Sequence, residues 1–153
     1  MTTTVPDRIE KRAVLRAPRA RVWRALTDAA EFGTWFGVKL EAPFSEGAKV
    51  RGKITNPGYE HLTMEVQVER LEPERYFAFR WHPSAVDPNT DYSSEPTTLV
   101  EFRLEESPEG TVLTISESGF DGIPLARRAE AFRGNDGGWT QQMQRIERHV
   151  SSS

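Results

Sequence analysis

The 153-residue sequence contains no cysteine, which removes disulfides, thiolate metal ligation and a cysteine nucleophile from consideration. No apolar run approaches the ~20 residues that a membrane-crossing helix needs. The opening MTTTVPDRIEKR has no apolar core of the kind that secretory signals carry, so the expected address is the cytoplasm. A basic excess is also missing. Lys and Arg total 20 against 23 Asp and Glu, a net charge of −3, and nothing favours a nucleic-acid partner. The three histidines, His61, His82 and His149, are scattered and form no HExxH or other ligand spacing, so no metal site is expected. Neither a glycine-rich phosphate loop nor a nucleophile elbow around a serine is present, and no cofactor is expected. Internal repeats and dividing linkers are absent as well. The expectation is one domain over 1–153, with 1–6 and 151–153 as flexible tails.

What the sequence does have is a clear change of hydrophobic period along its length. RIEKRAVLR (8–16) places Ile9, Ala13 and Leu15 on one parity and reads as a strand. Pro18 suits the first turn of a short helix carrying Val22 and Leu26. DAAE (28–31) reads as a capping box for a second short helix bearing Phe32, Trp35 and Phe36, ended by Gly37. Period-two alternation follows. Strands are expected near 38–42 and 47–55, then in EHLTMEVQVERL, in YFAFRW, and in TTLVEFRLEE and TVLTISESGF joined by the turn SPEG. The chain closes on GGWTQQMQRIERHV, where Trp139, Met143, Ile146 and Val150 lie four, three and four apart on one helical face. PLARRAEAF before it is also helix-compatible. Two glycines in GNDGG, with Asn135 or Asp136 able to cap a restart, predict a terminal helix kinked or broken there. A run of strands followed by a long helix defines an α+β fold, an antiparallel sheet of six or seven strands covered by the terminal helix.

Three segments in this order, APRARVWRALTDAAEFGTWF, GTVLTISESGF and GGWTQQMQRIERHV, resemble the START-like SRPBCC superfamily. Within it they are similar to the branch named after the activator of the heat-shock-protein ATPase. The resemblance implies a helix-grip fold, a curved sheet wrapped around the C-terminal helix with a cavity between them. It also implies a small apolar ligand, aromatic, lipid-like or polyketide-like. Two alternatives follow from the same family: a cyclase- or hydrolase-like enzyme, and a modulator of a chaperone or other protein partner. A fold used this widely does not by itself specify chemistry.

The candidate ligand-binding residues are the large side chains expected on the helix-facing side: Trp35, Phe36, Met64, Phe79, Trp81, Phe102, Trp139 and Met143. Taken singly each reads first as ordinary core, and together they predict a cavity beside the helix, since one helix is narrower than a sheet of this size. Glu117 shares parity with Leu113 and Ile115 and should point inward among them. Carboxylates on apolar faces serve as general acids or bases, as structural partners of indole, phenol or guanidinium donors, or as recognition groups for a ligand hydroxyl or amine. Glu117 is the sole candidate catalytic residue. The long loop HPSAVDPNTDYSSEPT reads either as a mobile surface loop or as a lid, with Tyr92 its one aromatic able to close over a cavity mouth.

Overall fold

The computed structural model describes residues 6–83 and 91–151. Most of both expected tails, residues 1–5 and 152–153, therefore lies outside the described residues. Strand β1 (Arg8–Leu15) leads into helices α1 (Arg19–Thr27) and α2 (Ala29–Phe36). Six strands follow: β2 (Val38–Leu40), β3 (Lys49–Ile54), β4 (Thr63–Glu72), β5 (Tyr76–Trp81), β6 (Thr98–Ser107) and β7 (Gly110–Ser118). After a single 3-10 turn at Phe120–Gly122, helix α3 (Leu125–Ser151) ends the fold.

The strands form one seven-stranded sheet in the order β1-β7-β6-β5-β4-β3-β2, antiparallel at every pairing. Strands β2 to β7 are successive neighbours, and β1 closes the far edge beside β7. The α1–α2 segment therefore carries the chain from one edge of the sheet to the other. The alternation seen in the sequence sets the buried face: Met64, Val66 and Val68 on β4, Phe77 and Phe79 on β5, Val100, Phe102 and Leu104 on β6, Leu113 and Ile115 on β7 are all buried. Helix α3 covers that face with Ala131, Trp139, Met143, Ile146 and Val150.

Two local expectations need correction. Helix α3 runs without a break from Leu125 to Ser151, through Gly134, Gly137 and Gly138. The residues expected to cap a restart are engaged elsewhere. Asn135 donates to Glu117 on β7, and Asp136 pairs with Lys11 on β1 at 2.9 Å. These ties and Trp139 hold both sides of the glycines against the sheet, and tertiary packing overrides the low helix propensity. The capping box is half made. Asp28 accepts from the Glu31 N–H at 3.0 Å, but the Glu31 carboxylate does not reach back, because the Asp28 N–H already donates to the Arg24 carbonyl at the end of α1. Glu31 instead receives Arg21, Arg24 and His149.

Gly33 and Gly37 position α2. A Cβ on Gly33 would stand 2.2 Å from the Val38 carbonyl oxygen, so only glycine lets the helix sit this close to β2. Gly37 ends the helix in the left-handed region at φ 91°, which returns the chain into β2.

Candidate functional site

Glu117 is fully buried near the end of β7, opposite Val100 of β6 and Ile9 of β1. Its inward direction follows from strand parity, as expected. Two donors come from adjoining strands: Trp81 at the end of β5 is paired with Thr98 at the start of β6. The Trp81 Nε1–H donates to Glu117 Oε2 at 2.8 Å, and the Thr98 hydroxyl donates to the same oxygen at 2.5 Å. Two more come from α3. Trp139 Nε1–H donates to Oε1 at 2.8 Å, and the Asn135 amide bridges both oxygens at 2.9 and 3.0 Å. Asn135 and Trp139 are four apart and so project from one helical face. A carboxylate has about four lone-pair directions, and donors fill them. The group thus works as an anchor between sheet and helix.

The anchor orients two indoles. Trp81 and Trp139 stack with centroids 5.7 Å apart and planes 27° from parallel. Phe36 of α2 lies 6.2 Å from each. Beside this group is a cleft of about 100 Å³, lined by Phe36, Trp81, Gly134, Asn135, Gly138, Trp139 and Gln142. Gly134 and Gly138 face it without side chains, and a Cβ on Gly138 would meet nothing within 4 Å. No packing demand explains that glycine; its effect is to leave the cleft wider.

Of the expected ligand-binding residues, Phe36, Trp81 and Trp139 border the cleft, with Glu117 behind the two indoles. Phe79 and Phe102 are fully buried and pack against Trp81 and Trp139 at 5.3 and 5.9 Å. Trp35 is fixed away from the cleft, donating to the Ala25 carbonyl at 2.7 Å between the two short helices. Met64 and Met143 belong to the same buried core. None of these five lines the cleft.

Tyr92 does not line the cleft either. Its ring lies under the Arg127 guanidinium at 4.7 Å, and Arg127 also grips Glu95 and the Pro83 carbonyl, tying the described ends of the long loop to α3. Residues 84–90 of that loop lie outside the described residues. A larger groove of about 680 Å³ opens on the outside of α2 and β2, walled by Asp28, Gly33, Thr34, Lys39, Glu41 and neighbours, far in character from the aromatic pair. Among the described residues, no three His, Asp or Glu side chains converge as a metal site.

Sequence reasoning missed Thr98, Asn135, Gly134, Gly138 and Gln142 as parts of the site. The signal was available for α3, since Asn135, Gly138 and Gln142 recur at three and four residues beside the apolar stripe.

A long C-terminal helix on a curved antiparallel sheet, with two short helices after the first strand, defines an α+β helix-grip protein of the SRPBCC superfamily. Residues 16–151 match the profile of the family described as Activator of Hsp90 ATPase homolog 1-like protein, and the chain belongs to that family. Among solved structures it is similar to protein MLL2253 from Mesorhizobium loti, at 25% identity and a TM-score of 0.75 over 95% of this chain and 98% of the other. It is also similar to DynU16, a protein in the dynemicin biosynthetic locus, at 26% identity and a TM-score of 0.73 over 96% of this chain and 48% of DynU16. CalU16 from Micromonospora echinospora shares the fold at 22% identity and a TM-score of 0.61, over 94% of this chain and 74% of that one. Comparison with curated proteins gives no match.

Proposed function

We propose that this protein binds a small, largely apolar, ring-bearing molecule between the sheet and α3, at the Trp81–Trp139 pair. The observation that carries the reading is the cleft framed by Phe36, Trp81 and Trp139 and left open by Gly134 and Gly138. Aromatic walls with a few polar groups are what small-molecule sites use. An apolar cavity of about 150 Å³ takes a benzene ring. A cleft of about 100 Å³ that opens to solvent suits one ring seated on the indoles, with the remainder of the molecule outside. A lipid or a fused-ring polyketide would require α3 to draw back from the sheet. The position of DynU16 in a biosynthetic locus is consistent with a small-molecule role in a related protein.

The enzymatic alternative has less support, because the Glu117 lone pairs are already taken by protein donors. The chaperone-partner alternative rests on the family name and is addressed by a pull-down against the host's Hsp90. The direct test is native mass spectrometry of the protein purified from its own host, beside a Gly138→Leu variant that fills the cleft. A co-purified small molecule lost in the variant is the expected result. A molecule retained equally by both proteins would place the site elsewhere, and none in either would remove the proposal's main expectation.

A further inference from the structure

Gln142 is the one cleft residue whose polar atoms are only half used. Its Nε2 donates to the Phe36 carbonyl at 3.1 Å, which fixes the orientation of the amide, since an oxygen there would oppose another oxygen. Its Oε1 is buried and has no hydrogen-bond partner among the described residues. Native proteins rarely leave a buried acceptor unsatisfied, and such an atom beside a cleft is a place for a donor from outside the chain.

The bond to Phe36 sets which end of the amide is nitrogen, yet it leaves the amide able to tilt. The Phe36 carbonyl keeps a second donor, the Arg145 guanidinium at 3.3 Å, which is itself held by Asn56 at 3.1 Å. Rotation about the terminal bond of a glutamine is soft. A part-turn that tilts Oε1 toward the cleft, short of the half-turn that would set it against the Phe36 oxygen, therefore does not strand that oxygen. The other polar neighbour in the cleft, Asn135, spends its amide nitrogen on Glu117. Glu117 is itself saturated, so it is not the group that meets a ligand.

We infer that Gln142 is the specificity residue of the cleft, accepting a hydrogen bond through Oε1 from a hydroxyl or N–H on the bound ring. The inference rests on the ring-binding reading above and adds the chemical class of the ligand: a phenol, an indole or a similar ring with a donor at its inner edge. It replaces Glu117 on β7, the acceptor that strand parity suggested, with Gln142, about one turn beyond Trp139 on α3.

Phenol and toluene test it, being alike in shape and differing in the donor. Binding is followed by the indole N–H resonances of Trp81 and Trp139. A plain apolar cleft prefers toluene, because burying a hydroxyl without a partner is unfavourable. The expected result is that wild type prefers phenol and that Gln142→Leu reverses the order, changing the phenol-to-toluene ratio of affinities by about five- to tenfold. Gln142→Met, unbranched and close to glutamine in length but without the acceptor, should reverse the order as well and guards against a leucine variant that packs badly. Toluene preferred by wild type, or phenol preferred as strongly after Gln142→Leu, would overturn the role of Gln142 while leaving ring binding intact. No indole response to either compound would remove both.

Discussion

Trp139 Nε1 and Glu117 Oε1 stand 2.8 Å apart, a hydrogen bond that joins the middle of α3 to β7. It links the deepest aromatic of the helix to the one fully buried carboxylate of the sheet. Because Glu117 also holds Trp81 and Thr98, this bond ties the helix to β5 and β6 as well. The grip of the sheet on its helix is polar at this point and apolar on either side of it.

Replacing Trp139 by Ala is expected to destabilise the protein by about 3–5 kcal/mol, the range for truncating a buried tryptophan. The indole is 2% exposed and packs against Trp81, Phe36 and Phe102, so little of its space can be refilled. Trp139→Phe keeps most of the packing but leaves Oε1 with Asn135 alone, at a cost of about 1–3 kcal/mol. Urea denaturation checks both. A midpoint for Trp139→Ala close to wild type would contradict the packing described.

The strands and the burial of Glu117 were legible because side-chain direction in a strand has period two and depends on nothing but position. The order of helices and strands followed from the same periodicity. The break expected in α3 was not real, because propensity counts the glycines and misses Lys11 and Glu117, which come from strands far away in sequence. The site was only partly legible for a related reason. Parity places Phe79 and Phe102 on the helix-facing side, but whether they wall a cavity or fill it depends on interdigitation across elements. Gly138 and Gln142 lie off the apolar stripe of α3, and only the placement of Phe36 gives them a neighbour across the cleft.

Gly137→Ala is expected to stabilise the protein by about 1 kcal/mol. The residue is exposed in the helix interior, and an added Cβ would meet nothing within 4 Å. Alanine gains helix propensity and restricts the unfolded chain, with no clash to offset either. Thermal or urea unfolding gives the answer. A destabilised variant would mean that α3 bends or packs differently at this point.

The Glu31 cluster predicts a component of acid sensitivity. Burial, the largest single influence, raises the Glu31 pKa, yet hydrogen bonds from His149, Arg21 and Arg24 and the charge of Arg21 together outweigh it and leave the pKa below its ordinary value. A carboxylate with a lowered folded-state pKa contributes stability that is present above its unfolded pKa and lost as pH falls through the folded one. The loss should begin near pH ~4.3, where a glutamate in the unfolded chain titrates, and continue below it. Since His149 sits in the last turn of α3 and both arginines in α1, the helix end should loosen first. Unfolding free energies measured across this range should fall more steeply for wild type than for Glu31→Gln. Parallel curves would show that the cluster is not coupled to folding.

Glu117→Gln separates an anchoring carboxylate from a catalytic one. The substitution keeps the shape but turns one acceptor oxygen into an NH2 group. In one orientation that group faces Trp139 and Asn135, and in the other it faces Trp81, Thr98 and Asn135, so donor meets donor either way. Hydrogen bonds to a charged group contribute about 1.5–3 kcal/mol, and a loss of that order is expected from the urea midpoint. The indole N–H resonances of Trp81 and Trp139 should shift together, because both bonds end on the replaced group. A residue kept for acid–base chemistry gives another pattern: stability near wild type, indole resonances little changed, and turnover abolished. That pattern would restore Glu117 as the reactive group and displace the ring-binding reading in favour of an enzyme. Lower stability with both indoles perturbed would fix Glu117 as the pin between sheet and helix, on which the geometry of the cleft depends.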